Sequence, residues 1–357
     1  MFKALCSLCL SLPLVAGAQA ASVVFLNPGQ ASETFWADYS RVMQAAAGDL
    51  GMDLRVFYAE REPQRVLAQA REVLQARVKP DYLVLVNEQY VAPEIIRLSH
   101  GSGVKLFLVN NGLTEGQTRT VDAHPDKYSP VLGTYVGNDE QAGYRMLREL
   151  FAKLPPSNEP VELLAFAGNN TTPASQLREQ GMRRALADLP QVRLRQVVYG
   201  GWSRQRALEQ AQQLVKRYPR TRLVWSANDE MAFGALEAFE AAGRKAGRDV
   251  LFGAINSSPQ ALQARLDGRF SVLMGGHVTL GGWAMVALHD DAQGLPADRD
   301  GQRVHRLPVL QLIDPVMAQR WLKLFDQDDF GIDFTRFSAQ GRPADYRYPF
   351  LVSPVDY

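Results

Sequence analysis

Cysteine is scarce in this chain of 357 residues: there are two, Cys6 and Cys9, and both lie within the first ten positions. Cys9 sits inside an apolar stretch with no pair of small residues before it, which argues against lipid modification. If the first 20 residues are a removed leader, as argued below, no cysteine is left in the mature chain. A cysteine nucleophile and a thiolate metal site are then excluded.

Signatures of catalysis are also missing. The sequence has no G-x-S-x-G elbow, no P-loop and no G-x-G-x-x-G after a predicted strand. The histidines show no metal-ligand spacing; they are His100, His124, His277, His289 and His305. We therefore predict no catalytic residue, no metal and no cofactor, and keep an exported sugar-modifying enzyme only as a remote alternative.

Two further absences concern partners. No stretch after the N-terminus reaches the roughly 18 uninterrupted apolar residues of a membrane helix. The formal net charge is +1, and the charged residues are interspersed without a basic block. A nucleic-acid partner is therefore not expected.

The first 20 residues have the pattern of a signal peptide. Lys3 forms the basic region, residues 4–17 are apolar, and Ala18-Gln19-Ala20 is an A-x-A cleavage site. We expect cleavage near Ala20 and export to the periplasm. The roughly 337 residues that remain exceed what one core usually holds, so two domains are expected.

What the chain has in abundance is short apolar runs that end in asparagine. Runs of four to six Val, Leu, Ile and Phe predict strands buried on both faces, as in parallel sheets. Ligands bind beyond the carboxyl ends of such strands, where an amide offers donors and an acceptor without charge. The alternative is that each asparagine caps the next helix. The residues are Asn27, Asn87, Asn110, Asn138, Asn169 with Asn170, Asn228 and Asn256.

A strand–helix rhythm runs through the chain twice and predicts an α/β fold with helices on both faces of each sheet. In the first half, predicted strands at 22–26, 52–58, 82–86 and 105–109 alternate with predicted helices at 35–50, 63–77 and 92–100. In the second, strands at 163–167, 193–198, 223–226 and 250–254 alternate with helices at 174–189, 204–217, 230–242 and 259–266. Two similar halves indicate two lobes with a cleft between them.

Five motifs together resemble the periplasmic sugar-binding proteins of the ribose/galactose type, whose fold is shared by the ligand-binding half of LacI-type repressors. They are NDEMAFGAL at 228–236, FW at 35–36, GTYVGNDEQAG at 133–143, REQGM at 178–182 and GAINSSP at 253–259. The resemblance covers roughly residues 22–292. A signal peptide stands where a repressor would carry its helix-turn-helix.

The resemblance implies two doubly wound parallel-sheet lobes joined by three crossing strands, near 135–138, 275–277 and 304–310. The expected N-terminal lobe comprises 21–137 and 277–305. The expected C-terminal lobe comprises 138–276 and 306–357, including an extended tail that we expect to pack on this second lobe, with a partner contact as the alternative.

The resemblance also implies a set of ligand-binding residues. Phe35 or Trp36 would stack on a sugar ring, with one of the two in the core because adjacent residues point in different directions. Arg178 would fork onto ring oxygens or hydroxyls, and Asn228 would bind directly after its strand. The alternative expectation at this junction is that Asp229 caps the following helix, with its carboxylate at the positive helix end. The other expected ligand-binding residues are Asn87, Asn110, Asn138, Asp139, Asn256 and His277.

Two departures from the family pattern concern charge. Asn110 and Asn256 stand where these sugar binders usually carry aspartate, and Gly276, beside His277, stands where they carry glutamine. Arg178 would then lack its usual partner, and an uncompensated charge in a closing cleft is costly. Either Asp139 or Glu88 balances Arg178, or the ligand itself is anionic.

We therefore expect a monomeric periplasmic solute-binding protein that closes on a small polar, sugar-like ligand and presents it to the membrane permease of an ABC importer. The alternative is a ligand-sensing partner of a membrane sensor kinase or cyclase, because the tryptophan, arginine and amide set is also similar to that of receptors for furanosyl autoinducers.

Overall fold

The computed structural model describes residues 20–296, 301–327 and 329–350. The predicted signal peptide lies outside this range except for Ala20. Among the described helices, none combines the length and apolar character needed to cross a bilayer.

Twelve strands are found in the described residues, and eight of them are buried over most of their length, as central strands of parallel sheets should be. They are β1 (Ser22–Asn27), β2 (Asp53–Tyr58), β3 (Tyr82–Leu85), β4 (Lys105–Asn110), β5 (Val131–Gly137), β6 (Val161–Ala167), β7 (Val192–Tyr199), β8 (Thr221–Ser226), β9 (Leu251–Ile255), β10 (Phe270–Gly275), β11 (Val304–Leu307) and β12 (Gln311–Leu312).

Eleven α-helices connect these strands, and proline at the first turn or a side-chain cap begins many of them. They are α1 (Thr34–Asp49), α2 (Pro63–Gln75), α3 (Ala92–Leu98), α4 (Glu115–Asp122), α5 (Asp139–Ala152), α6 (Pro173–Ala187), α7 (Arg204–Arg217), α8 (Asp229–Ala241), α9 (Pro259–Leu266), α10 (Leu280–Ala292) and α11 (Pro315–Phe325).

The strands form two six-stranded sheets, one in each lobe. The first has the order β11-β5-β4-β3-β1-β2 and the second the order β12-β10-β9-β8-β6-β7. All neighbouring strands are parallel except β12, which pairs antiparallel with β10. The predicted fold class, two doubly wound α/β lobes, is confirmed, with β12 as an antiparallel edge.

The chain passes between the two sheets three times in the described residues: after β5, after β10 and between β11 and β12. The first and third passages are fastened to each other by Asn138. Its amide accepts a hydrogen bond from Leu310 N at 2.8 Å and donates one to Leu310 O at 3.1 Å. The carboxyl ends of both sheets therefore face the same cleft.

Close packing of α5 on α6 depends on two glycines. A Cβ on Gly143 would lie 2.0 Å from the carbonyl oxygen of Arg178, and one on Gly181 would lie 1.9 Å from that of Glu140. No other residue fits at either position, because real Cβ contacts do not fall below about 3 Å. This contact brings the first residue of α5, Asp139, beside Arg178 on α6.

The tail corrects one expectation. Helix α11 packs against α9 of the second lobe, as expected. The chain then returns to the first lobe, where Phe334 N donates to an Asp49 carboxylate oxygen at 2.9 Å. Asp290 on α10 accepts hydrogen bonds from Ser338 Oγ at 2.5 Å and Tyr348 Oη at 2.7 Å. The expectation that the whole tail packs on the second lobe is wrong, because the phenylalanines of the tail pack against apolar residues of α1 and α10.

Candidate functional site

A small cavity lies between the lobes, where the carboxyl ends of the two sheets meet. Its volume is about 30 Å³, about what one water molecule occupies in the liquid. The lining residues are Glu33, Phe35, Trp36, Arg61, Glu88, Asn110, Asn111, Thr172, Ala174, Arg178, Trp202, Asn228, Asn256 and His277. Polar and aromatic side chains from both lobes therefore converge on one point.

Each lobe contributes a tryptophan that rests on a glycine. A Cβ on Gly29, two residues after β1, would lie 2.1 Å from the Trp36 ring. A Cβ on Gly168, directly after β6, would lie 2.3 Å from the Trp202 ring. The missing side chain lets each indole lie flat against the backbone at the end of a strand. The Nε1 atom of Trp36 is buried and has no hydrogen-bond partner.

Phe35 and Trp36 both line the cavity, and Trp36 is at the same time a buried member of the hydrophobic core. The Phe35 ring stacks on the His277 imidazole, with centroids 4.6 Å apart and an interplanar angle of 27°. Both residues lie in the first turn of α1, which begins at Thr34.

Arg178 is buried, and each of its three guanidinium nitrogens has one protein partner. Its Nε donates to Asp139 Oδ1 at 2.7 Å, and its Nη1 donates to the carbonyl oxygen of Ala227 at 2.7 Å. Its Nη2 lies 3.1 Å from His277 Nε2. Of the alternatives that the sequence left open, Asp139 is the partner that balances Arg178.

His277 is held neutral by this arrangement. Arginine can only donate hydrogen bonds, so His277 Nε2 accepts and the imidazole proton lies on Nδ1. Burial first, and the neighbouring Arg178 second, hold the pKa of His277 well below its ordinary value. The Nδ1 atom is buried without a partner, which leaves a donor at the edge of the cavity.

Arg61 is the corresponding arginine of the first lobe. It forms a two-pronged ion pair with Glu33 and lies 3.4 Å from Glu88 Oε1. Burial alone would lower the pKa of Arg61, but the two glutamates outweigh it and raise that pKa. The guanidinium carbon lies 5.9 Å from the Trp36 ring centre.

Glu88 connects the two lobes. Its carboxylate accepts a hydrogen bond from Thr172 Oγ1 of the second lobe at 2.8 Å and one from Asn111 Nδ2 at 3.3 Å. Burial raises the pKa of Glu88, and Arg61 and Thr172 offset this only in part. Asn111 Oδ1 also accepts from Ala174 N at 2.8 Å, so two direct hydrogen bonds close the lobes beside the cavity.

The amides of the second lobe have fixed orientations. Asn228 Oδ1 accepts from Met231 N at 2.9 Å and so caps α8, while its Nδ2 donates to Trp202 O at 3.2 Å. Asn256 Nδ2 donates to Asp229 Oδ1 at 2.7 Å, and Ser258 Oγ donates to the same carboxylate. The expected capping role of Asp229 is therefore wrong: Asn228 caps the helix, and Asp229 orients Asn256.

The seven asparagine-ending runs divide into two groups. Asn110, Asn228 and Asn256 line the cavity. The others do not: Asn27 holds α1 through Trp36 O, Asn169 forms a turn with Thr171, and Asn138 fastens two crossings. Asn87, an expected ligand residue, instead accepts from Ala92 N at 3.1 Å and donates to Gln117 Oε1 at 2.7 Å.

The sequence did not point to several of the lining residues, because their positions depend on backbone conformations that the sequence does not reveal. Positive φ angles cluster here: Arg61 has φ 63°, Asn110 65°, Trp202 69° and Asn256 126°. Such angles are strained for residues with a side chain and are commonest at functional sites. The missed lining residues are Glu33, Arg61, Asn111, Thr172, Ala174 and Trp202, whereas Glu88 was named only as a possible partner of Arg178. In the described residues, no group of three or more His, Cys, Asp or Glu is placed to hold a metal ion.

The similarity of this chain to known proteins extends over both sheets. A family model described as a periplasmic binding protein domain matches residues 23–295. The ribose import binding protein RbsB of Escherichia coli is 21% identical over 264 residues, which are 73% of this chain and 81% of that protein. The galactofuranose-binding protein YtfQ of E. coli is 22% identical over 269 residues, 74% of this chain and 78% of that protein.

A solved structure is more similar. A periplasmic sugar-binding protein from Pseudomonas fluorescens is 59% identical, with a TM-score of 0.85. The superposition covers 92% of this chain and 98% of that one.

Proposed function

The chain belongs to the periplasmic binding protein domain family, and from this premise we propose that it binds a neutral sugar in the cavity between its lobes and delivers it to an ABC importer. The observation that carries the proposal is the pair of tryptophans, Trp36 and Trp202, that face one cavity from opposite lobes among oriented amides. The C–H faces of a sugar ring pack well on indole rings, and its hydroxyls need amide donors and acceptors.

Charge compensation favours a neutral ligand over an anion. Arg178 is paired with Asp139, and Arg61 with Glu33 and Glu88. Neither guanidinium has an unbalanced charge for a carboxylate or phosphate ligand. The free hydrogen-bonding groups at the cavity are neutral donors, Trp36 Nε1 and His277 Nδ1, which suit hydroxyl oxygens.

The second part of the proposed mechanism is the closure of the two lobes around the ligand. A sugar ring is larger than the cavity, so binding requires the lobes to part and then close on it. Thr172 and Ala174 reach across to Glu88 and Asn111 in the closed arrangement. A ligand that contacts both tryptophans shifts the equilibrium towards this form, which the membrane permease then recognises.

Export and transport are supported by the relatives, two of which are an import binding protein for ribose and a periplasmic sugar-binding protein. We propose a monomer in the periplasm, exported by a signal peptide cleaved near Ala20. The protein binds and releases its ligand unchanged, so Arg178, Asn228 and Asn256 serve as ligand contacts and not as catalysts. A sensing role would use the same closed form.

Native mass spectrometry of the protein purified from periplasm tests the ligand class. The expected result is a discrete added mass that equals a neutral sugar and disappears after mild unfolding. An acidic adduct, or a ligand converted to a new mass on incubation, would contradict the proposal. In cells that lack the gene, lost uptake of that sugar supports import, whereas intact uptake with a lost transcriptional response indicates sensing.

A further inference from the structure

A second, larger cavity lies beside the first, on the β5–β11 edge of the first sheet. Its volume is about 670 Å³, within the range typical of small-molecule sites. The strand register places Val304 opposite Thr134 and Arg306 opposite Val136, so these four side chains lie on one face of the sheet. Helices α2 and α3 cover this face at β1, β3 and β4, but the cavity remains at β5 and β11.

The walls of this cavity come from both lobes and are largely apolar. The first lobe contributes Leu113, Val121, Val131 and Val304, and the second contributes Leu177 together with Pro173 and Ala174. Val304 is 58% exposed, which is unusual for valine on a strand. The hydrogen bond between Asn111 and Ala174 separates this cavity from the smaller one.

Charge distinguishes the two cavities. Arg303 and Arg306 line the larger one, and within the described residues neither side chain forms an ion pair or hydrogen bond. Two carboxylates are also present, but Asp139 is occupied by Arg178, which leaves Asp122 alone against two arginines. The larger cavity therefore combines apolar walls with an excess of positive charge, whereas the arginines of the smaller one are compensated.

We propose that the larger cavity is a second small-molecule site, which takes an amphipathic anion: one carboxylate, sulfonate or phosphate group on an apolar body. The anionic group pairs with Arg303 and Arg306, and the body packs on Val121, Val131 and Val304. Apolar contact alone would accept neutral compounds equally, so the arginines set the preference for an anion. The ligand of this site differs in charge from the neutral sugar proposed for the smaller cavity.

Fluorescence titration with 8-anilinonaphthalene-1-sulfonate, an aromatic sulfonate, tests this proposal. We expect saturable binding to the wild-type protein, and a dissociation constant about tenfold higher in the double variant Arg303→Ala/Arg306→Ala. Val304→Trp, which fills the cavity without changing charge, should weaken binding similarly. Octanoate should displace the dye, and 1-octanol at the same concentration should not.

The matched control is Arg193→Ala/Arg222→Ala, which removes two exposed arginines from β7 and β8 of the second lobe. Its affinity for the dye should equal that of the wild type, and circular dichroism should show that every variant is folded. Equal dye binding by both arginine double variants, or equal displacement by octanol, would overturn the proposal. Loss of dye binding in Trp202→Ala would place the dye in the smaller cavity and overturn it as well.

Discussion

The two lobes present the same local arrangement to the cleft but hold it in different ways. In each, a tryptophan rests on a strand-end glycine and an arginine lies 5.9 Å from the tryptophan ring centre. In the second lobe, Arg178 has its carboxylate and carbonyl partners within the lobe and is buried. In the first lobe, Arg61 is more exposed. Its partner Glu88 accepts one of its hydrogen bonds from Thr172, which lies across the cleft.

This difference shows that the hydrogen-bonding groups of the second lobe are held in place before the ligand binds. Those of the first lobe reach their final arrangement only when the lobes close. Asn228 and Asn256 are also fixed by bonds inside the second lobe. A ligand would meet finished hydrogen-bonding groups there without an ordering cost. Closure then adds the aromatic rings of the first lobe and the Glu88–Thr172 bond. The predictions below test this asymmetry, from the largest expected effect to the smallest.

Arg178→Ala should cost about 3–5 kcal/mol of unfolding free energy, because it leaves the Asp139 carboxylate buried without its partner. Urea denaturation measures this. The matched control is Arg184→Ala, which removes an exposed pair between the same two helices, Arg184 with Glu140. Its cost should not exceed about 1 kcal/mol. Equal losses would mean that Arg178 is not a preorganised, buried element.

Asn228→Ala should weaken sugar binding by about 1–3 kcal/mol, because a buried hydrogen-bonding group is removed. It should also lower stability by about 1 kcal/mol through loss of the α8 cap. Asn228→Ser separates the two effects, since a serine hydroxyl is also a strong helix cap but is too short to replace the amide at the cavity. Calorimetry should show weak binding by the serine variant at a smaller loss of stability than in the alanine variant. Undiminished affinity would remove Asn228 from the site.

His277 should make the protein less stable as the pH falls. The unfolded imidazole takes up a proton near its ordinary pKa of 6.5, whereas the buried one stays neutral to a much lower pH. Unfolding is therefore favoured by about 1.4 kcal/mol for each pH unit below ~6.5. Because His277→Gln keeps an acceptor for Arg178 but does not titrate, the stability difference between variant and wild type should grow with that slope between pH 6.5 and 5.

The raised pKa values of Glu88 and Asp229 act in the opposite sense, since their protonation at low pH relieves the cost of burying a charge. They are present in both proteins and cancel in the difference. A pH-independent difference would show that His277 takes up a proton as readily in the folded state as in the unfolded one.

Thr172→Val should have the smallest effect, a loss of about 0.5–1.5 kcal/mol in ligand binding, because it removes only the hydrogen bond to Glu88 across the cleft. Thr171→Val is the control: its hydroxyl bonds to Asn169 within the same loop. Calorimetry should find wild-type affinity in the control. Equal losses in the two variants would indicate that the loop, and not closure, determines binding.

The sequence predicted the parts of the structure that depend on residues close together in the chain. It did not predict the parts that depend on contacts between distant residues. Buried apolar runs and strand–helix alternation are local patterns, and they predicted both sheets. Helices α4, α5 and α10 were not predicted; α10 is buried on nearly all sides and shows no amphipathic pattern. The return of the tail to α1 was also missed, because it depends on contacts such as Phe334 with Asp49, 285 positions apart.

The same limit applies to the candidate site. Asn228 and Asn256 belong to motifs at strand ends, and Arg178 belongs to a motif within α6, so the sequence pointed to them. Arg61 and Trp202 follow edge strands with no such motif, and their positive φ angles are set by loop packing. Asn87 satisfied the pattern but bonds to α3 and α4, which shows that a strand-end asparagine is not a sufficient signal of a place at the cavity.

The most direct test of the account is a calorimetric titration of the wild-type protein and of Trp36→Ala and Trp202→Ala with a panel of neutral sugars and their acidic counterparts. The account predicts that at least one neutral sugar binds the wild type, that both tryptophan variants lose that binding, and that the acidic counterpart binds more weakly. Tight binding of an acidic sugar with no neutral one, or binding that survives loss of either tryptophan, would contradict it.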